Sequence, residues 1–135
     1  MIPVSQTKFG GIEGNCVQAC LASVLELPLD AVPNFVTMDD WCGEMEKWLL
    51  KLYGLQPLFL KLRREIEVDD WRPFGYHLMG GMGPRGLKHS VVGYRGEIKW
   101  DPHPDRGGLV KVEDWTVFVA TMDGLFSLQR WIWMV

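Results

Sequence analysis

The sequence predicts an α+β fold, with N-terminal helices packed on a mostly antiparallel sheet. Two patterns lead there. Apolar residues between Asn15 and Tyr53 recur at helical spacing, whereas from Leu55 onward they gather in short runs separated by glycine and proline. The length, 135 residues, suits one domain spanning 1–135, and no internal repeat or linker divides it. A hydrophobic fraction of 47%, with seven Trp and six Phe, supplies enough apolar area for a core.

The first helix is expected from Asn15 to about Glu26. Asn15 offers a cap after Gly10, Gly11 and Gly14, and Val17, Cys20, Leu21, Val24 and Leu25 form a buried stripe. Ala19, Ala22 and Ser23 are small enough for another element to come close, and Pro28 stops the helix. Leu29–Pro33 reads as a turn. A second helix is expected from Asp39 to about Tyr53, with Gly54 just past its end. Its stripe is Trp41, Met45, Trp48, Leu49 and Leu52, and Cys42 beside it reads as a small core residue.

Strands are expected at Leu55–Leu62, Phe74–Met79 and His89–Tyr94. Arg95-Gly96 is a tight turn that returns Glu97–Trp100 as a hairpin. Gly80–Gly86 reads as a flexible glycine-rich loop and Asp101–Gly108 as a second loop. Trp115–Met122 and Phe126–Met134 are two more strand candidates.

Charge and composition narrow the function. The net charge is −3, with no strong basic patch, so a nucleic-acid partner is not expected. Lys61-Leu62-Arg63-Arg64 is followed at once by Glu65, Glu67, Asp69 and Asp70, which reads as a solvated mixed-charge face. No apolar run approaches the ~20 residues that span a bilayer, and no signal peptide is visible. A cytoplasmic protein without a membrane partner is therefore the expectation. Three cysteines, an odd number, argue against a disulfide framework. Cys16, Cys20, His77, His89 and His103 lack the paired spacing of a zinc site, so neither a metal nor an organic cofactor is expected.

One constellation does carry chemistry. The reactive form of cysteine is the thiolate, and the first turn of a helix favours it through partial positive charge and unpaired N–H groups. Cys16 stands there, while Cys20 lies a turn deeper on the apolar face. His89 opens an apolar strand, and Asp101 ends the returning strand of the same hairpin. Hairpin geometry puts both at one open end, where the acid can hold the imidazole and favour its charged form. Each residue alone has an ordinary structural reading; together they read as nucleophile, base and orienting acid.

Asn15 to Leu25 resembles the nucleophile helix of papain-like cysteine peptidases, above all the bacteriocin-processing, double-glycine-cleaving domains. His89-Ser90-Val91-Val92-Gly93-Tyr94 and Lys99-Trp100-Asp101-Pro102 are similar to their histidine strand and Asp-Pro turn. The resemblance implies a papain-like fold and a glutamine ahead of the cysteine that donates to the oxyanion. Gln6 is the matching type, although ten residues ahead is farther than usual, and Gln18 competes from within the helix. Gly81 and Gly83 in the glycine segment, and His103 past Asp101, are candidate substrate contacts. Arg85 and Arg106 are candidate carboxylate binders or plain surface residues.

The expected activity is hydrolysis of an amide or peptide bond through a thioester, acting on a peptide or protein substrate. A deamidase or transglutaminase-like acyl transferase would use the same residues. A catalytically silent papain-like binding module is the rival from another class, and a protein that displays the Trp-rich Trp131–Met134 segment as an interface is a third. Oligomeric state is open at this point.

Overall fold

A computed structural model describes residues 1–63 and 71–121. The expected Phe126–Met134 strand, the Trp131–Met134 segment, Met122 and the acidic run after Arg63 lie outside the described residues. Two α-helices and two single 3₁₀ turns precede a five-stranded sheet: α1 Cys16–Leu25, turns Leu29–Ala31 and Phe35–Thr37, α2 Trp41–Tyr53, β1 Leu55–Lys61, β2 Tyr76–Met82, β3 Lys88–Tyr94, β4 Glu97–Trp100 and β5 Lys111–Ala120. The strand order is β1-β5-β2-β3-β4 and every pairing is antiparallel.

Helix α1 is nearly solvent-free because its sheet-facing side is small. Ala19, Cys20, Leu21, Ala22 and Ser23 are all fully buried. They pack with Leu78 of β2 and Val92 of β3, so the helix lies close against the sheet. Glu26 closes it in the left-handed conformation, with Leu27 N–H returning to Ala22 O at 2.9 Å. Helix α2 begins at the Asp40 cap, whose carboxylate accepts from Gly43 N–H, and ends at Gly54 with φ 62°. Met45 and Leu49 are its buried anchors. Met79, Val91 and Trp115 alternate with the α1-facing residues and form a second apolar cluster.

Several expectations are corrected here. Leu52 is 55% exposed, because the α2 stripe is narrower than its sequence suggests. Cys42 is half-buried, not a core residue. The glycine loop is much shorter than expected: Gly80, Gly81 and Met82 belong to β2, which pairs on both sides. These two glycines serve close approach rather than turning. A β-carbon on Gly81 would sit 1.9 Å from the Lys111 carbonyl oxygen, and one on Gly80 would sit 2.3 Å from Asp114 Oδ1. The pairing slips by one residue at this point, so β5 carries a bulge at Glu113. Strand β3 starts at Lys88, one residue early, and β5 starts at Lys111, four residues early.

Candidate active site

The site is assembled where the start of α1 meets the open end of the β3–β4 hairpin. Asn15 does not cap the helix as expected; its side chain makes no capping bond. Instead it is 2% exposed and reaches back along the chain. Its Oδ1 accepts from Thr7 N–H at 2.9 Å and Lys8 N–H at 2.8 Å, and its Nδ2 donates to Thr7 Oγ1 at 3.0 Å. Gln6 N–H in turn donates to Pro102 O at 3.0 Å. The segment before the helix is thereby pinned between Cys16 and the Asp101-Pro102 turn.

Cys16 is the first residue of α1 and half-buried. The His89 ring and the backbone N–H groups of Ser90 and Val17 lie near enough to its thiol to act on it. Cys20, one turn on, is fully buried and donates its thiol proton to Ser90 O at 3.4 Å. The Ser90 backbone therefore serves both sulfurs, its N–H acting on Cys16 and its carbonyl accepting from Cys20.

His89 and Asp101 are both buried, at 6% and 5% exposure, and His89 Nε2 lies 2.7 Å from Asp101 Oδ1. That leaves Nδ1 for Cys16. A plain two-residue hairpin would set Asp101 opposite Ser90, on the other side of the ladder from His89. The pairing shifts between Val92 and Gly93, however, and Trp100 falls opposite Val92. Asp101 then continues the register opposite Val91, on the side that His89 shares. Two further donors hold its carboxylate: His103 N–H to Oδ1 at 2.9 Å and Gly108 N–H to Oδ2 at 2.7 Å. Arg106 ties down the turn by donating to Asp101 O and His103 O at 2.9 and 2.6 Å, with its guanidinium 4.0 Å from the centroid of the Trp100 ring.

The electrostatics follow from these contacts. Burial pushes the Cys16 thiol up, but the hydrogen bond and charge of His89 and the two N–H groups outweigh it and leave the pKa below 9.0. Burial pulls His89 down, yet Asp101 and Cys16 raise it from 6.5 to about 9. Burial would lift Asp101, and the bonds from His89, His103 and Gly108 take it below its ordinary value. Each of the three is shifted toward its charged form, so the arrangement favours thiolate, imidazolium and carboxylate in a row. Cys20, in contrast, is driven well above the ordinary thiol range by burial.

A cleft of about 450 Å³ opens over Cys16 and His89. Gln6 lines it, 7% exposed, with Nε2 donating to Lys8 O at 3.0 Å and Oε1 left without a partner. Gln18 faces away and donates to Leu29 O and Val32 O at 3.0 and 2.7 Å. Gly81 lies on the cleft wall, opposite His89 in the β2–β3 pairing. Gly83 is under His89: a β-carbon there would approach His89 Cβ to 3.1 Å, so its role is to admit the imidazole. His103 borders the cleft, its ring edge-on to His89 with centroids 6.2 Å apart, and its Nδ1 accepts from Asp105 N–H at 3.1 Å. Of the two candidate carboxylate binders, Arg85 is paired with Asp105 at 2.6 Å and Arg106 is spent on the Asp101 turn.

Trp41 and Asp114 are among the cleft residues that sequence reasoning missed. Trp41 was assigned to the core alone. Asp114 fell just before the expected start of β5, although the alternation Asp114, Thr116 against Trp115 was there to be seen. Burial raises its carboxyl above the ordinary value, with Lys88 and Lys61 opposing and Glu113 adding to the rise. Among the described residues there is no group of three or more His, Cys, Asp or Glu that could hold a metal ion, and no helix long and apolar enough to cross a membrane. Comparison with family models, curated proteins and solved structures gives no match.

Proposed function

We propose that this chain is a cysteine hydrolase of the papain-like type, cleaving an amide or peptide bond with Cys16 as nucleophile, His89 as base and Asp101 as orienting acid. The carrying observation is the continuous contact from the Cys16 thiol through the His89 ring to a carboxylate that itself accepts three hydrogen bonds. Structural polar residues at a helix start have no need of such a row, with each group's pKa displaced toward its charged form. The two helices on an antiparallel sheet, with the nucleophile on the first helix and the base on a strand, support a papain-like fold.

The thiolate of Cys16 attacks the carbonyl carbon and a C–S bond forms. The developing oxyanion is met by backbone N–H at the start of α1 and by the second Nε2 hydrogen of Gln6, the first being held by Lys8 O. The tetrahedral intermediate collapses as His89 Nδ1 gives its proton to the leaving nitrogen, which departs as an amine. Water then attacks the thioester, His89 accepts its proton, and the acid and free thiolate are released.

Thiol reactivity against pH tests this reading, using iodoacetamide and mass mapping of the adducts. The three cysteines provide an internal comparison, since burial raises both Cys20 and Cys42. Cys16 is expected to be alkylated rapidly below pH 7 and to lose that reactivity in His89→Ala. Reaction only above about pH 8, as for an ordinary thiol, and equally in the variant, would sink the proposal.

A further inference from the structure

We propose that Asp114 makes this site selective for substrates bearing a cationic group, a lysine- or arginine-like side chain or an amine, near the bond that Cys16 attacks. This inference rests on the hydrolase reading above. Asp114 sits on β5 opposite Gly80 of β2, in the same cleft as Cys16 and His89. Its carboxylate folds over the bare strand: Oδ1 lies where only a glycine leaves room, 2.3 Å from the site of a β-carbon on residue 80. The absence of a side chain on Gly80 thus gives the acid its place against the β2 backbone.

The carboxylate is half-buried, and no hydrogen-bond donor or ion-pair partner meets it among the described residues. Withdrawing a carboxylate from water without a partner is costly, and a cation brought by the substrate relieves that cost. Lys61 stands opposite Asp114 across the β1–β5 ladder and, like Lys88, acts on its carboxyl through charge without forming an ion pair. Lys88 is paired with Glu113, the neighbour of Asp114 at the bulge, and Arg85 is paired with Asp105. Asp114 is therefore a cleft carboxylate that no cation among the described residues pairs with directly, Lys88 and Lys61 acting on it only through charge. The start of α2 completes the subsite. Trp41, the first residue of α2, presents an aromatic surface to the same cleft. A cation seated there meets a carboxylate and an indole together.

The test uses peptidyl chloromethyl ketones, in which the Cys16 sulfur displaces chloride and a stable thioether forms. Lysine, norleucine and glutamate are compared at each of the three positions before the reactive ketone, in wild type and Asp114→Asn, with iodoacetamide as the control. Lysine at one position is expected to label Cys16 about tenfold faster than norleucine, the low end for one charge-assisted contact. Glutamate there is expected to be slower than either. Asp114→Asn should bring the lysine and norleucine rates together, each divided by the iodoacetamide rate of the same protein, and Asp114→Glu should retain a lysine advantage. Equal rates for lysine and norleucine at every position in wild type would overturn the inference, as would an undiminished lysine advantage in Asp114→Asn. If iodoacetamide instead shows Cys16 to be an ordinary thiol independent of His89, the hydrolase reading itself falls and takes this one with it.

Discussion

Replacing Asp101 by asparagine keeps the shape of the side chain and removes its charge. The carboxylate accepts from His89 and His103 through Oδ1 and from Gly108 through Oδ2. An amide offers one acceptor atom. If its oxygen stays with the first two donors, its NH₂ confronts Gly108 N–H donor to donor. The rise of His89 from 6.5 to about 9 amounts to about 3 kcal/mol of preference for the imidazolium. Asp101 and Cys16 produce it against burial, each by a hydrogen bond and by charge. An even share for Asp101 gives about 1.5 kcal/mol, or about tenfold in proton affinity. NMR titration of the imidazoles, with His89 assigned through His89→Gln, should find its midpoint near pH 9 in wild type and about one pH unit lower in Asp101→Asn. Because the folded His89 pKa is raised, its stabilising contribution is full below 6.5 and lost as pH rises through about 9. At neutral pH the variant should also unfold more easily by about 2–3 kcal/mol, the cost of an unpaired buried donor and a weakened charged bond. A wild-type midpoint at or below 6.5, or one that the substitution does not move, would refute the reasoning.

Other perturbations separate the parts of the site. Gln6→Ala should lower turnover of a cleaved peptide about 10²-fold, as loss of one oxyanion donor does, while the iodoacetamide rate of Cys16 stays within a factor of two of wild type; a loss in both would mean that Gln6 only supports the fold. Asn15→Ala removes the acceptor for two N–H groups and should cost about 1–3 kcal/mol in denaturant unfolding. Its turnover should fall with Gln6 displaced, and unchanged turnover would contradict the pinning role. Gly81→Ala drives a β-carbon into the Lys111 carbonyl and should lower stability by about 2–3 kcal/mol, read as a shift of the thermal midpoint; a neutral result would show that the β2–β5 bulge yields easily.

Both helices could be read from the sequence because their signals are local. The α1 stripe, Pro28 beyond its end and Gly54 after α2 act within a turn or two of where they stand. The hairpin was equally legible, since Arg95-Gly96 sits between two apolar runs. The β4 bulge was not, although it alone brings Asp101 to the side of His89; no residue type in Glu97–Trp100 marks it. Gly80 and Gly81 were misread for a related reason. Glycine looks the same in sequence whether it turns a chain or lets another strand come close, and only the partner strand β5 decides. Asn15 shows the opposite failure: its cap position is correct, but tertiary partners at Thr7 and Lys8 take the side chain that local geometry would have used. The cleft role of Asp114 depends on the pairing of β5 with β2, a contact between segments far apart in the chain.

The separation of the nucleophile from its base has a consequence for the protein during synthesis. The strand bearing His89 follows the helix bearing Cys16 by about 70 residues, an interval of about 4–15 s at ordinary translation rates. Throughout that interval the nascent chain carries Cys16 without the imidazole that activates it. The orienting carboxylate emerges later still, and Gln6, made well before Pro102, has nothing to dock on until then. On the hydrolase reading, an emerging chain is thus unarmed, unable to attack its own extended backbone or its neighbours on the polysome. Catalytic competence becomes a late reporter of folding, and a variant that folds slowly would pass through a longer silent phase before showing any activity.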